Sequence, residues 1–176
     1  MAHTSSSGES TTKMRERDAI VTYLNERRWT HYVTLATHDM SYSLSIDRLK
    51  GLAKLWEAKM HQILVGAHWV RKYDERFQGF YVIEKPRSSP HLHAILQLDR
   101  PDDQCSGRDT LLTRARALEY FTPFVWKRLS PSGSSDVKII STKEDQTRIV
   151  TYITKELLYP QQFENYILSG PSGGPV

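Results

Sequence analysis

Two strand-forming runs, QGFYVIE (Gln78–Glu84) and HLHAILQL (His91–Leu98), are joined by the short polar loop KPRSSP. Two such runs around a short turn form an antiparallel hairpin. Side chains alternate between faces along a strand, so His91 and His93 share one face. Symmetric closure of the hairpin puts Glu84 directly opposite His91, on that face and about 5 Å away. Tyr81, Ile83, Leu92, Ala94, Leu96 and Leu98 then line the other face as a continuous apolar surface. The core is expected behind that surface, with the histidines pointing away from it.

Helical and strand patterns alternate around this hairpin. Residues 13–28 read as a helix with Ile20, Tyr23 and Leu24 on one side, and WTHYVTLATH (Trp29–His38) reads as a strand. Residues 45–65 carry Ile46, Leu49, Leu52, Ala53, Trp56, Met60 and Ile63 at helical spacing. A helix is expected over 109–120. Thr122 as N-cap with Pro123 at the first helical position predicts a second, short helix to Leu129. DVKIIS (Asp136–Ser141) reads as a strand. Ser141-x-x-Glu144 reads as a capping box opening a last helix to about Leu158, which Pro160 stops. Interleaved elements with a hairpin predict an α+β fold with a central, mainly antiparallel sheet and flanking helices.

A chain of 176 residues suits one domain. The Ser/Gly/Pro-rich ends, 1–12 and 161–176, are expected to be disordered tails around a domain at 13–160. No apolar run approaches the about 18 residues of a membrane span. The single Cys105 cannot form an internal disulfide, which favours an intracellular setting. The formal charge of +4 is compatible with a nucleic-acid partner.

Two imidazoles and a carboxylate can hold a divalent cation and leave coordination positions open. The same spacing also occurs in surface histidines that hold no metal. In the last helix, Ile149, Val150, Ile153 and Leu157 form the apolar stripe, with Tyr152 at its edge. Arg148 and Lys155 fall on the Tyr152 side, one turn before and one turn after. A tyrosine flanked by cations is placed to meet a phosphate. About one tyrosine in a thousand is ionised at neutral pH, so a nucleophilic role needs a cation or a polarised phosphate. The alternative is a structural tyrosine beside solvated charges.

Taken together, these motifs resemble the HUH endonucleases, specifically the single-tyrosine initiators of rolling-circle replication. PHLHAIL is similar to the His-hydrophobe-His motif, and Glu84 stands where those proteins place an acidic third ligand. YITKE (Tyr152–Glu156) resembles their Tyr-x-x-Lys-acidic motif, and HYVTLATH loosely resembles their first strand motif. The order of motifs differs from that of relaxases, where the tyrosine comes first. Single-tyrosine transposases typically carry glutamine four residues after the tyrosine, where this chain has Glu156.

The resemblance implies a roughly five-stranded, RRM-like palm. It implies Mg²⁺ or Mn²⁺ on Glu84, His91 and His93, with Tyr152 attacking to give a 5′-phosphotyrosine and Lys155 assisting at the phosphate. The implied substrate is single-stranded DNA at an origin hairpin, in a prokaryotic cytoplasm or a eukaryotic nucleus. No phosphate-binding loop of the G-x-x-x-x-G-K-[ST] type is present, so a host or separate helicase is the expected partner unless the chain is an excised domain. Lys85, Arg87 and Arg148 are the foremost candidates for DNA contact. Arg27, Arg28, Arg71, Lys72, Arg76, His31, His38, Trp69 and Tyr73 are weaker ones. The alternatives are a non-catalytic nucleic-acid-binding domain and a transposase on the same fold.

Overall fold

The computed structural model describes residues 6–38, 44–85, 90–98, 108–158 and 165–169. In chain order the elements are α1 (Ser6–Glu26), β1 (His31–Ala36), α2 (Ile46–Val65), β2 (Gln78–Glu84), β3 (His91–Gln97), α3 (Arg108–Leu129), β4 (Ser134–Ile139), α4 (Lys143–Thr154) and β5 (Tyr166–Ser169). Short 3₁₀ turns follow α2 and α4. The strands form one five-stranded sheet in the order β4-β1-β3-β2-β5, antiparallel throughout. This is the α+β architecture that the alternating pattern predicts. Among the described residues, no helix is long and apolar enough to cross a membrane.

The hairpin closes in the symmetric register, with Glu84 opposite His91 and Val82 opposite His93. Its apolar face packs under α2 and α3. Tyr81, Ile83, Leu92, Ala94 and Leu96 meet Leu49, Ala53, Trp56 and Met60 of α2 and Leu118 and Trp126 of α3. Ser45 caps α2, its hydroxyl accepting from the Arg48 N–H at 3.2 Å.

The opposite face departs from expectation. It is not open to solvent, because Phe80, Val82 and Ile95 lie on it alongside the histidines. These pack against Leu24 of α1, Val150 and Ile153 of α4, and Trp29. Each such side chain is worth about 1.5–3 kcal/mol when buried, so a face with three of them requires a cover.

Five further corrections concern the elements and their ends. The two helices expected around Thr122-Pro123 are one helix, α3. Leu118, Thr122 and Trp126 are buried four residues apart, so the apolar stripe runs through, while Pro123 faces solvent. Trp126 fastens this helix to the sheet by donating its indole N–H to the Ala36 carbonyl at 2.7 Å. The α4 cap is Thr142, not Ser141, and accepts from the Asp145 N–H at 3.1 Å. Ile140 still donates to the Thr30 carbonyl, which keeps the chain extended past β4 and delays the turn. The fourth strand begins at Ser134 because Ser134 and Ser135 pair with Ala36 and Leu35 of β1. Finally, α1 begins at Ser6 and β5 lies inside the expected C-terminal tail. Four β2 residues, Gly79–Val82, offer β5 a partner edge that no local pattern reveals.

Candidate metal centre and its tyrosine

Glu84 closes β2 and His91 opens β3, so the hairpin register brings them together. His93 follows on the same face, opposite Thr34 of β1. Glu84, His91 and His93 each offer a ligand atom, and these lie within 4.8 Å of one another. Glu84 Oε2 accepts from His93 Nε2 at 2.7 Å and lies 3.3 Å from His91 Nε2. Glu84 and His93 are buried, whereas His91 is half-buried and forms the open side.

Helix α4 brings the other two groups. Val150 and Ile153 bury its apolar side. Gln146 locks it to the α1–β1 turn: its carbonyl accepts from the Trp29 N–H at 3.2 Å, and its amide donates to the Arg27 carbonyl at 2.8 Å. Tyr152 then donates its hydroxyl to Glu84 Oε2 at 3.1 Å. Its ring meets His93 edge-on at 5.4 Å. Tyr152 remains 43% exposed, enough for an incoming group to reach it. At Lys155 the helix tightens to 3₁₀, with the Lys155 N–H donating to the Tyr152 carbonyl. The Lys155 ammonium pairs with Glu84 Oε1 at 2.9 Å and sits 3.7 Å from the Tyr152 ring centroid.

Four side chains, His91, His93, Tyr152 and Lys155, therefore meet around the Glu84 carboxylate. Burial alone raises the Glu84 pKa, but hydrogen bonds from Lys155 and His93 outweigh it and hold the group down at about 2. Burial and the neighbouring His91 lower His93 to about 4, against the pull of Glu84. Desolvation is the largest single effect on Lys155 and lowers it, but Glu84 and Tyr152 together raise it above its ordinary value. At neutral pH the centre thus holds an ionised carboxylate and a neutral His93, the charge states a cation requires.

Sequence reading missed part of the surroundings. Tyr32 and Thr34 of β1 both reach His93 Nδ1, at 2.6 and 3.2 Å. Burial pushes the Tyr32 hydroxyl up to about 12, so it stays protonated. Period-two alternation puts both on one face of β1, but only the β1–β3 pairing shows that it is the histidine face.

The DNA-contact candidates are scattered. Lys85 is exposed just past Glu84, at φ 51°. Arg87 lies outside the described residues, as does Tyr159, the tyrosine seven residues after Tyr152. Arg148 is exposed, and its guanidinium pairs with Asp145 at 2.7 Å. Arg76 packs over Trp69 and Tyr73, Lys72 pairs with Glu75, and Arg27 bonds to Gln78. His31 is buried, against the expectation that it could touch DNA. His38 is exposed, and its Nε2 lies 2.6 Å from the Ser134 hydroxyl.

No protein-family model, curated protein or solved structure matches this chain. The functional reading therefore rests on the residues alone. They present a Glu-His-His group able to hold a divalent metal ion, with a tyrosine hydroxyl and an ammonium on the same carboxylate.

Proposed function

We propose that this protein is a metal-dependent, single-tyrosine HUH endonuclease that nicks and rejoins single-stranded DNA to initiate rolling-circle replication. The observation that carries the reading is the Tyr152 hydroxyl hydrogen-bonded to Glu84, one of the three candidate metal ligands. The half-exposed Tyr152 holds its hydroxyl beside a candidate ligand where an incoming phosphate can reach it.

Glu84, His91 and His93 would hold Mg²⁺ or Mn²⁺. The ion when bound supplies Lewis-acid polarisation of the scissile phosphate. Tyr152 Oη gives up its proton to water and attacks phosphorus in line, the P–O3′ bond breaks, and the departing 3′ oxygen takes up a proton from water. The products are a 5′-phosphotyrosine and a free 3′-hydroxyl. Since one phosphoester replaces another, a 3′-hydroxyl can attack the adduct and reseal the strand. Lys155 stabilises charge developing on the phenolate and the phosphate. Lys85, Arg87 and Arg148 serve backbone phosphates. The substrate is an origin hairpin, and a host or separate helicase extends the opening.

Incubation with a random single-stranded DNA library and Mn²⁺ tests this reading. The expected result is cleavage at a preferred sequence, with 5′ ends blocked by protein. Binding without cleavage in any divalent metal would instead favour a non-catalytic nucleic-acid-binding domain. Preference for two distinct hairpins at element ends would favour a transposase.

A further inference from the structure

Glu84, His91 and His93 leave one question open: what holds the far side of His93. A carboxylate only accepts hydrogen bonds, so the 2.7 Å contact with Glu84 places a proton on His93 Nε2. The neutral ring then presents a bare lone pair at Nδ1, deep in the sheet. That nitrogen requires a donor, and the Tyr32 hydroxyl stands 2.6 Å away. Ligation through Nε2, the nitrogen that faces Glu84, reverses the demand. The Nε2 lone pair is then committed, the ring proton sits on Nδ1, and that N–H requires an acceptor. A hydroxyl can do either, whereas a carboxylate or an ammonium can do only one.

We propose that Tyr32 is the positioning residue for His93, partnering Nδ1 in both proton arrangements and so allowing Nε2 to exchange Glu84 for a metal ion. The inference rests on the metal reading and adds to it a residue outside the ligand set. The exchange conserves charge: Nε2 gives a proton to water and Nδ1 takes one up. Glu84, relieved of its His93 donor, is freed to ligate as well.

Geometry favours Tyr32 over Thr34, whose hydroxyl is also in reach at 3.2 Å. The Tyr32 contact is shorter, and its ring lies nearly parallel to the imidazole, 14° between planes at 5.6 Å. Both residues are fixed by the ladder, Tyr32 opposite Ile95 and Thr34 opposite His93. Partners of this kind, when removed, typically cost about 10–100-fold in metal affinity.

The test combines Mn²⁺ calorimetry with ¹⁵N-histidine NMR on the whole chain. Wild type is expected to carry the His93 proton on Nε2 without metal and on Nδ1 after Mg²⁺ addition. Tyr32→Phe keeps the ring and is expected to weaken Mn²⁺ binding about 10–100-fold, with Thr34→Val weakening it less. Tyr32→Phe within about twofold of wild type, or Thr34→Val the more damaging of the two, would overturn the proposal. If Tyr32→Phe fails to fold, the wild-type tautomers decide alone: a proton on Nδ1 without metal contradicts it. Wild type that binds no Mn²⁺ yet shows the Nε2 proton defeats the metal reading and the exchange, while leaving Tyr32 as the donor to His93.

Discussion

The two faces of the sheet are built from the same strands and differ sharply. Under α2 and α3 the hairpin contributes Tyr81, Ile83, Leu92, Ala94 and Leu96, an apolar surface. Under α1 and α4 the same strands contribute a divided surface. Phe80, Val82 and Ile95 pack at one end, and Glu84, His91 and His93 gather at the other. One face holds the fold together. The other gives up part of its apolar area to Glu84 and the four polar side chains gathered around it. Adjacent residues, pointing opposite ways, should therefore fail in different ways.

The largest contrast is Leu92 against His93. His93→Ala should lower cleavage at least about a thousandfold, about 4 kcal/mol in barrier, with partial recovery at high Mn²⁺. Leu92→Ala should cost about 2–5 kcal/mol of stability by leaving a cavity, while the protein that remains folded still binds Mn²⁺. Denaturant melts and Mn²⁺ titrations on both variants check this. Equal loss of stability in the two would erase the division between faces.

Acid should separate the faces next. His93 titrates near 4 when folded against an ordinary 6.5, so the unfolded chain takes up its proton first. Stability from His93 is complete above about pH 6.5 and lost as pH falls toward 4. Glu84, at about 2 against 4.5, contributes above about pH 4.5 and loses that contribution as pH falls toward 2. Glu84→Gln should flatten the lower part of a stability–pH curve, whereas Leu92→Ala should lower the curve without changing its shape there. A curve unchanged by Glu84→Gln would mean that the carboxylate is not held by its neighbours.

A smaller effect concerns DNA. Replacing Lys85 and Arg87 together with Gln should weaken single-strand binding across sequences and reduce the slope of log affinity against log salt by about one to two units. An unchanged slope would put the DNA track elsewhere. The smallest effect belongs to Tyr159→Phe, which should form adduct like wild type. The proposed mechanism uses one nucleophile, Tyr152, and Tyr159 directly precedes Pro160, a position at which any residue is disfavoured from helical geometry.

What the sequence made legible was local. Both hairpin strands and their loop are contiguous, so the Glu84–His91–His93 group could be read from alternation together with symmetric closure of the hairpin. The Tyr152 and Lys155 spacing was readable because one helix carries both. What stayed hidden depends on distant pairing. Tyr32 meets His93 across 61 residues, and nothing near Tyr32 announces it. The cover over the histidine face stayed hidden because Phe80, Val82 and Ile95 share it with polar groups, and the helices that pack on them are distant in the chain. Strand β5 has four residues and little pattern of its own; it exists by pairing with β2. Pro123 reads as a helix start, yet the buried stripe through Thr122 and Trp126 overrides it.

The central claim is that the divided face is a nicking centre with Tyr152 as its nucleophile. Mass spectrometry of the peptide linked to single-stranded DNA after reaction with Mn²⁺ tests it most directly. The account predicts a phosphonucleotide on Tyr152 alone, abolished by chelator and by Tyr152→Phe. A nucleotide on another residue, Tyr32 or Tyr159 included, or cleavage that persists in Tyr152→Phe, would contradict it.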